Sequence, residues 1–188
     1  MFVLSILLEI VIRMPYNRIR QHTNVATDRV SATEKALLGV MTLGIFFLPV
    51  IYIFTDWLRF ADYRLPFWLG IVGIVLVGLG LWLFWRSHMD LGRNWSPSLQ
   101  VMEGHTLVAE GVYRTIRHPM YASQMLMGLA QILLLQNWIA GPTGLLLFLP
   151  LYLIRVPREE QMMSEQFGAD YRAYMARTGR ILPRLVRG

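Results

Sequence analysis

Residues 66–85 read PFWLGIVGIVLVGLGLWLFW, twenty residues without a single charge. At about 1.5 Å per residue a helix of that length rises roughly 30 Å, the thickness of a bilayer's hydrocarbon core. The stretch therefore reads as a membrane span, and the fold depends on how many others accompany it. Ala36–Phe54 (ALLGVMTLGIFFLPVIYIF) qualifies as cleanly, and Met120–Trp138 qualifies with glutamines inside it. Thr143–Val156 is shorter, and the turn-like Asn137–Pro142 joins it to the run before, so the two read as a helical hairpin that does not fully cross. Met1–Ile12 is short, holds Glu9, and has neither a basic leader nor a small-residue cleavage site, so it reads as a retained first helix. Gly39, Gly44, Gly73, Gly78 and Gly80 are expected to let helices approach closely. Pro49 and Pro150 are expected to kink theirs. The fold expected is all-α: a polytopic membrane bundle of about five helices. Residues 1–85 supply the N-terminal helices, and the polar motifs collect in 86–188.

Composition agrees. Hydrophobic residues make up 55% of the 188-residue chain and charged residues 16%, against about 25% in an ordinary soluble domain. The net charge of +6 then suits an anionic membrane surface better than nucleic acid. With no cysteine, the chain has no disulfide, thiolate metal site or thiol nucleophile. Orientation follows from where the positive charge lies. Alternating loops put 13–35, 86–119 and the tail from 155 on one side, with five, four and seven Lys/Arg, whereas the other side has only Arg59 and Arg64. Sixteen against two makes the basic side cytoplasmic, and 86–119 shares that side with the tail.

Four polar clusters gather there: Asp90–Trp95 (DLGRNW), His105–Val108 (HTLV), Gly111–Ser123 (GVYRTIRHPMYAS) and Arg155–Glu160 (RVPREE). Pro119 suits the first turn of a helix, where its missing N–H would be unpaired anyway. His118 then stands at the helix mouth, where free amides and the helix dipole favour a carboxylate or phosphate. A capped helix with interfacial Arg, His and Tyr accounts for that stretch equally well on its own. Arg155 and Glu159, four apart, share a helical face, and Glu160 points about a quarter-turn away. Pro157 is expected to begin a second, amphipathic helix on the cytoplasmic surface, with Met162, Met163 and Phe167 packing on one side. The four histidines, His22, His88, His105 and His118, lack mutual ligand spacing, so no metal is expected.

Taken together, GHTLVAEGVYRTIRHPMYAS and the later RVPREEQMMSEQFGADYRAYMARTGRILP resemble the isoprenylcysteine carboxyl methyltransferase family of integral membrane enzymes, over roughly residues 86–184. The resemblance implies a helical bundle whose C-terminal half closes an S-adenosylmethionine pocket on the cytoplasmic side. By that resemblance the cofactor site takes in His105, Thr106, Leu107 and Val108, then Tyr113, His118, Pro119, Met120 and Tyr121, and finally Glu159. Arg155 matches the arginine that holds the substrate, and a further polar contact falls near Ser98 or Gln100. Arg155 and Glu159 are the residues expected to carry the chemistry. The expected acceptor is a lipophilic or lipidated molecule from the bilayer.

Methyl transfer is an in-line displacement, so the protein's task is to position and desolvate the partners. A carboxylate acceptor is ionised at neutral pH and needs no general base. Arg155 is expected to grip one carboxylate oxygen and leave the other free to react. Two other enzyme classes share parts of the pattern: phospholipid N-methyltransferases, and sterol-reductase-like enzymes that bind NADPH. Arg114 and Arg117 read as topology charges. Arg180 either completes the site or pairs with lipid phosphate, with the balance slightly toward the phosphate. Asn94 and Trp95 either line the acceptor entrance or, for Trp95, supply an interface anchor, which is the commoner role.

Overall fold

A computed structural model describes residues 2–102 and 104–184. Met1, Glu103 and residues 185–188, including Arg187, lie outside it. The chain is mostly helical. Helix α1 spans Phe2–Gln21 and α2 Ala32–Thr42. A π-helical turn at Leu43–Phe47 leads into α3 (Leu48–Phe54). Then come α4 (Phe67–Leu91), α5 (Pro119–Leu135) and α6 (Thr143–Arg177). Two stretches are long and apolar enough to cross a membrane, Ala32–Phe54 and Phe67–Asn94; α5 is apolar but has 17 residues. The weak first run is a full 20-residue helix. One short ladder departs from the all-helical expectation: β1 (Val25–Asp28) pairs antiparallel with β2 (Gln100–Met102).

Pro49 follows the π turn, which loosens the hydrogen-bond ladder where its missing N–H would otherwise break it. Pro157 does not begin a second helix: α6 continues through both Pro150 and Pro157. Its break comes instead at Gly168, with φ 55° and ψ −119°, a conformation that side-chain-bearing residues avoid. The segment beyond folds back toward the bundle, and Tyr171 and Tyr174 are buried in it.

Helix α1 docks on α4 through rings. Tyr16 lies 5.1 Å from His88, and His88 lies 4.4 Å from Phe84 and 5.1 Å from Trp95. Trp95 is therefore no interface anchor: it is 2% exposed and packs against His88, the centre of that stack. At the opposite end, the turn after α5 is fastened by Asn137. Its Nδ2 donates to Leu58 O (2.7 Å) and Asp62 Oδ1 (2.8 Å), and its Oδ1 accepts from the amides of Ile139 and Ala140. Between the two ends, fully buried Gln131 donates through Nε2 to Gly44 O (3.1 Å) and Ala140 O (2.6 Å).

Gly44, Gly73 and Gly80 mark close helix contacts, whereas Gly39 and Gly78 face open space. A Cβ at Gly44 would stand 2.6 Å from the Thr143 carbonyl oxygen, and backbone cannot swing aside. Gly44→Ala is expected to cost about 1–3 kcal/mol through overpacking. Gly39→Ala, on the same helical stretch, should be neutral or slightly stabilising. Thermal unfolding of the two variants in one detergent checks the difference; equal midpoints would contradict the packing.

Candidate active site

A cavity of about 570 Å³ lies where the segment after α4, the start of α5 and the middle of α6 meet. Three local features shape it. Asn94 holds the HTLV segment from behind: its Oδ1 accepts from the Thr106 amide (3.1 Å) and its Nδ2 donates to Thr106 Oγ1 (3.2 Å). Pro119 opens α5 with His118 as its non-helical cap, so the amides of Met120 and Tyr121 precede the first intrahelical bond, from Ala122 N to His118 O. Unbroken helix through Pro157 then keeps Arg155 and Glu159 one turn apart on the wall.

Of the residues singled out in the sequence, His105, Leu107, Val108, Tyr113 and His118 through Tyr121 line this cavity, as do Arg155 and Glu159. Thr106 does not; both its polar groups are spent on Asn94. Ser98 and Gln100 both reach the wall. So do Met162, Met163, Tyr171 and Tyr174, which the sequence reading left to packing or did not weigh. Tyr121 Oη donates to Glu159 Oε2 at 2.8 Å. Burial pushes the His105 imidazole pKa down, against the opposing pull of Glu159, so the ring is neutral at pH 7. Its Nδ1 is buried without a hydrogen-bond partner. Burial, reinforced by Glu159, holds the Tyr113 phenol protonated.

Below the cavity sits a cluster that the sequence did not disclose. Glu160 is 7% exposed, and two arginines and a histidine converge on it. Arg117 Nε donates at 3.0 Å and Arg180 Nη2 at 2.7 Å, and His118 Nε2 lies 3.2 Å away. Arg117 also donates to the carbonyls of Met175 and Thr178. The backbone follows: Arg117 N bonds Gly179 O and His118 N bonds Arg180 O, both at 2.8 Å. Arg117 is thus a buried structural cation and not a topology charge, and Arg180 belongs to the same cluster and not to lipid phosphate. Arg155 is also more occupied than expected. Its Nη1 donates to Pro97 O at 2.8 Å and lies 3.2 Å from Glu34 Oε1, and its Nε stands 4.0 Å from Glu159. Glu34 gave no functional signal, because Ser31-Ala-Thr-Glu34 reads as a capping box; Ser31 Oγ does accept from the Glu34 amide, while the carboxylate turns inward.

Helices long enough to span a bilayer, and a ligand-sized pocket walled by charged and aromatic groups, define an integral membrane enzyme. The isoprenylcysteine carboxyl methyltransferase (ICMT) family matches residues 68–165, and the chain belongs to that family: it is a methyltransferase. It is 23% identical over 154 residues to protein-S-isoprenylcysteine O-methyltransferase A of Arabidopsis thaliana, covering 81% of this chain and 75% of that protein. Against the Homo sapiens protein-S-isoprenylcysteine O-methyltransferase it is 30% identical over 118 residues, covering 62% of this chain and 42% of the relative. The solved structure of the eukaryotic intramembrane Ras methyltransferase ICMT superposes with a TM-score of 0.57 at 23% identity, over 82% of this chain and 54% of that one. The chain thus spans about half of that solved protein and less than half of the human relative.

Burial alone would raise the Glu160 pKa, but hydrogen bonds from His118, Arg180 and Arg117 outweigh it and hold the carboxyl at about 2. The stability this contributes is fully present above the unfolded value near 4.5 and fades as pH falls toward 2. Glu160→Gln, which leaves the buried Arg117 without its carboxylate, is expected to cost on the order of 3 kcal/mol at pH 7. The variant should also lose the part of the acid sensitivity that lies between those two pH values. Unfolding midpoints of both proteins from pH 7 to 3 measure this; parallel curves would rule it out.

Proposed function

We propose that this chain transfers a methyl group from S-adenosylmethionine to the carboxylate of an amphiphilic, isoprenylcysteine-like acceptor arriving from the bilayer, at a site facing the cytoplasm. The observation that supports this most directly is the convergence of the family-matching residues on one cavity within the 300–1,000 Å³ range of small-molecule sites. Sixteen of the eighteen Lys/Arg on one side support the orientation. Residues 86–188 would carry the chemistry, with 1–85 completing the wall.

The residues present fit the cofactor, since His105, whose buried Nδ1 has no hydrogen-bond partner, lines the cavity together with the Glu159 carboxylate. When bound, S-adenosylmethionine supplies an electrophilic methyl on a sulfonium. Glu159, oriented by the Tyr121 hydroxyl, accepts from the ligand's ammonium or ribose hydroxyls. The amides of Met120 and Tyr121 at the mouth of α5 seat its carboxylate. His118 acts there through its contact with Glu160, which fixes the ring. Backbone around Leu107 and Val108 takes the adenine edge, with Tyr113 closing the wall. Arg155, itself braced by Pro97 O and Glu34, holds one acceptor oxygen and leaves the other to attack.

Isothermal titration in detergent should show S-adenosylhomocysteine binding that Glu159→Ala weakens by roughly 10- to 100-fold, the worth of a charge-assisted hydrogen bond. A wild-type protein that does not bind it would refute the reading. With a carboxylate acceptor already ionised, the transfer rate should change little between about pH 5 and 8. A rate rising with pH across that range would indicate an amine acceptor that must first lose a proton.

A further inference from the structure

Helix α1 lies outside the matched stretch 68–165, yet Ile6, Glu9, Ile10 and Arg13 put one of its faces on the cavity wall. Arg13 is the unusual member. Glu9, one turn back, is its obvious partner, but among the described residues no carboxylate lies within 4.0 Å of its guanidinium. Glu9 instead accepts from Gln124 Nε2 at 3.2 Å. Arg13 Nε is buried with no hydrogen-bond partner. The guanidinium carbon lies 5.2 Å from the Phe84 ring and 5.8 Å from Trp95, which hold the group in place through its π face and leave its N–H edge unused.

Arg155 shares a buried, unbonded Nε but differs in its charge balance. Glu34 and Glu159 already face it, so its charge is largely compensated before any ligand arrives. The guanidiniums of Arg13 and Arg155 are close enough to repel one another across the cavity. An anion entering between them relieves that repulsion and finds the less compensated charge on Arg13, whose opposing carboxylate, Glu9, stands beyond 4.0 Å. A buried cation without a partner is costly, and a ligand that completes it gains what the empty site lacks.

We propose that Arg13 is a specificity-determining residue that binds the acceptor's carboxylate directly, sharing with Arg155 the oxygen that does not react, so that the first helix adds to the matched core the selection of an anionic over a neutral acceptor. The proposal rests on the methyltransferase reading above and deepens it. Glu9 and Gln124 border the same space, so an acceptor bearing a hydrogen-bond donor beside its carboxylate, such as the N–H of an acylated amino acid, suits both ends.

The test uses the full chain in detergent and two probes, N-acetyl-S-farnesylcysteine and its uncharged carboxamide. Their binding is measured by competition with one another and with S-adenosylhomocysteine present. Wild-type protein is expected to prefer the carboxylate by about ten-fold or more, and Arg13→Gln to reduce that preference to within about two-fold. Arg13→Lys should restore part of it, and none of the three should differ in S-adenosylhomocysteine affinity. Discrimination that survives in Arg13→Gln, or that wild type lacks because neither probe is preferred or bound, overturns the role of Arg13 while intact cofactor-product binding leaves the methyltransferase reading standing. Loss of S-adenosylhomocysteine binding in wild type would remove both.

Discussion

A single carboxylate, Glu160, ties together three parts of the chain that are far apart in sequence. Its partners, Arg117 and His118 on one side and Arg180 on the other, come from the segment before α5 and from the tail after α6, and Glu160 itself sits in mid-α6. In a low-dielectric setting an ion of either sign left alone is costly, so the arrangement forms as a set or not at all. Once formed, it fixes where α5 begins, because His118 is both its cap and a member of the cluster. It also holds the tail against the backbone of 115–118, through bonds from Arg117 and His118 to Gly179 and Arg180 and from Gly179 back to Thr115. The cavity above therefore has a rigid floor.

Over that floor the N-terminal helices act as more than anchors. Residues 94–108 form no long element of their own. They are held by a three-point ladder with 25–28, by the Arg20–Gln100 hydrogen bond and by the Leu99 amide on Glu34. Asn94 and Thr106 close the loop from within. Chemistry in the matched region is thus framed by residues outside it. A family core can keep one reaction while different first helices reshape the space beside it.

The spans were legible in the sequence because an uninterrupted apolar run is a local property. The motif residues were legible because resemblance grouped them, and ten of the eleven singled out do share one wall. What failed had distant causes. Arg117 looked like a surface cation because its partner lies 43 residues on. Glu34 gave no signal because it stands three residues after the N-cap Ser31, a position where a glutamate is ordinary, while its carboxylate serves Arg155 in another helix. Pro157 looked like a boundary, but a proline within an otherwise well-packed helix removes one hydrogen bond without ending it, whereas Gly168 permits a backbone turn that others resist. Glycine spacing named five close contacts and three were real, since a small residue permits an approach but does not require one.

The turn fastened by Asn137 bears on how two helices of unequal length can pack side by side. Helix α5 has 17 residues and so rises only about 25 Å, some 5 Å short of a typical hydrocarbon core. Backbone at such depth is tolerated only when its polar groups are satisfied inside the protein, and Asn137 meets that condition with four hydrogen bonds and no exposed surface. Helix α4, packed against α5, has 25 residues and rises about 37 Å. The two neighbours therefore differ in reach by roughly a third, and the sealed turn is what lets the shorter one end where the longer continues, without leaving a polar backbone group unanswered.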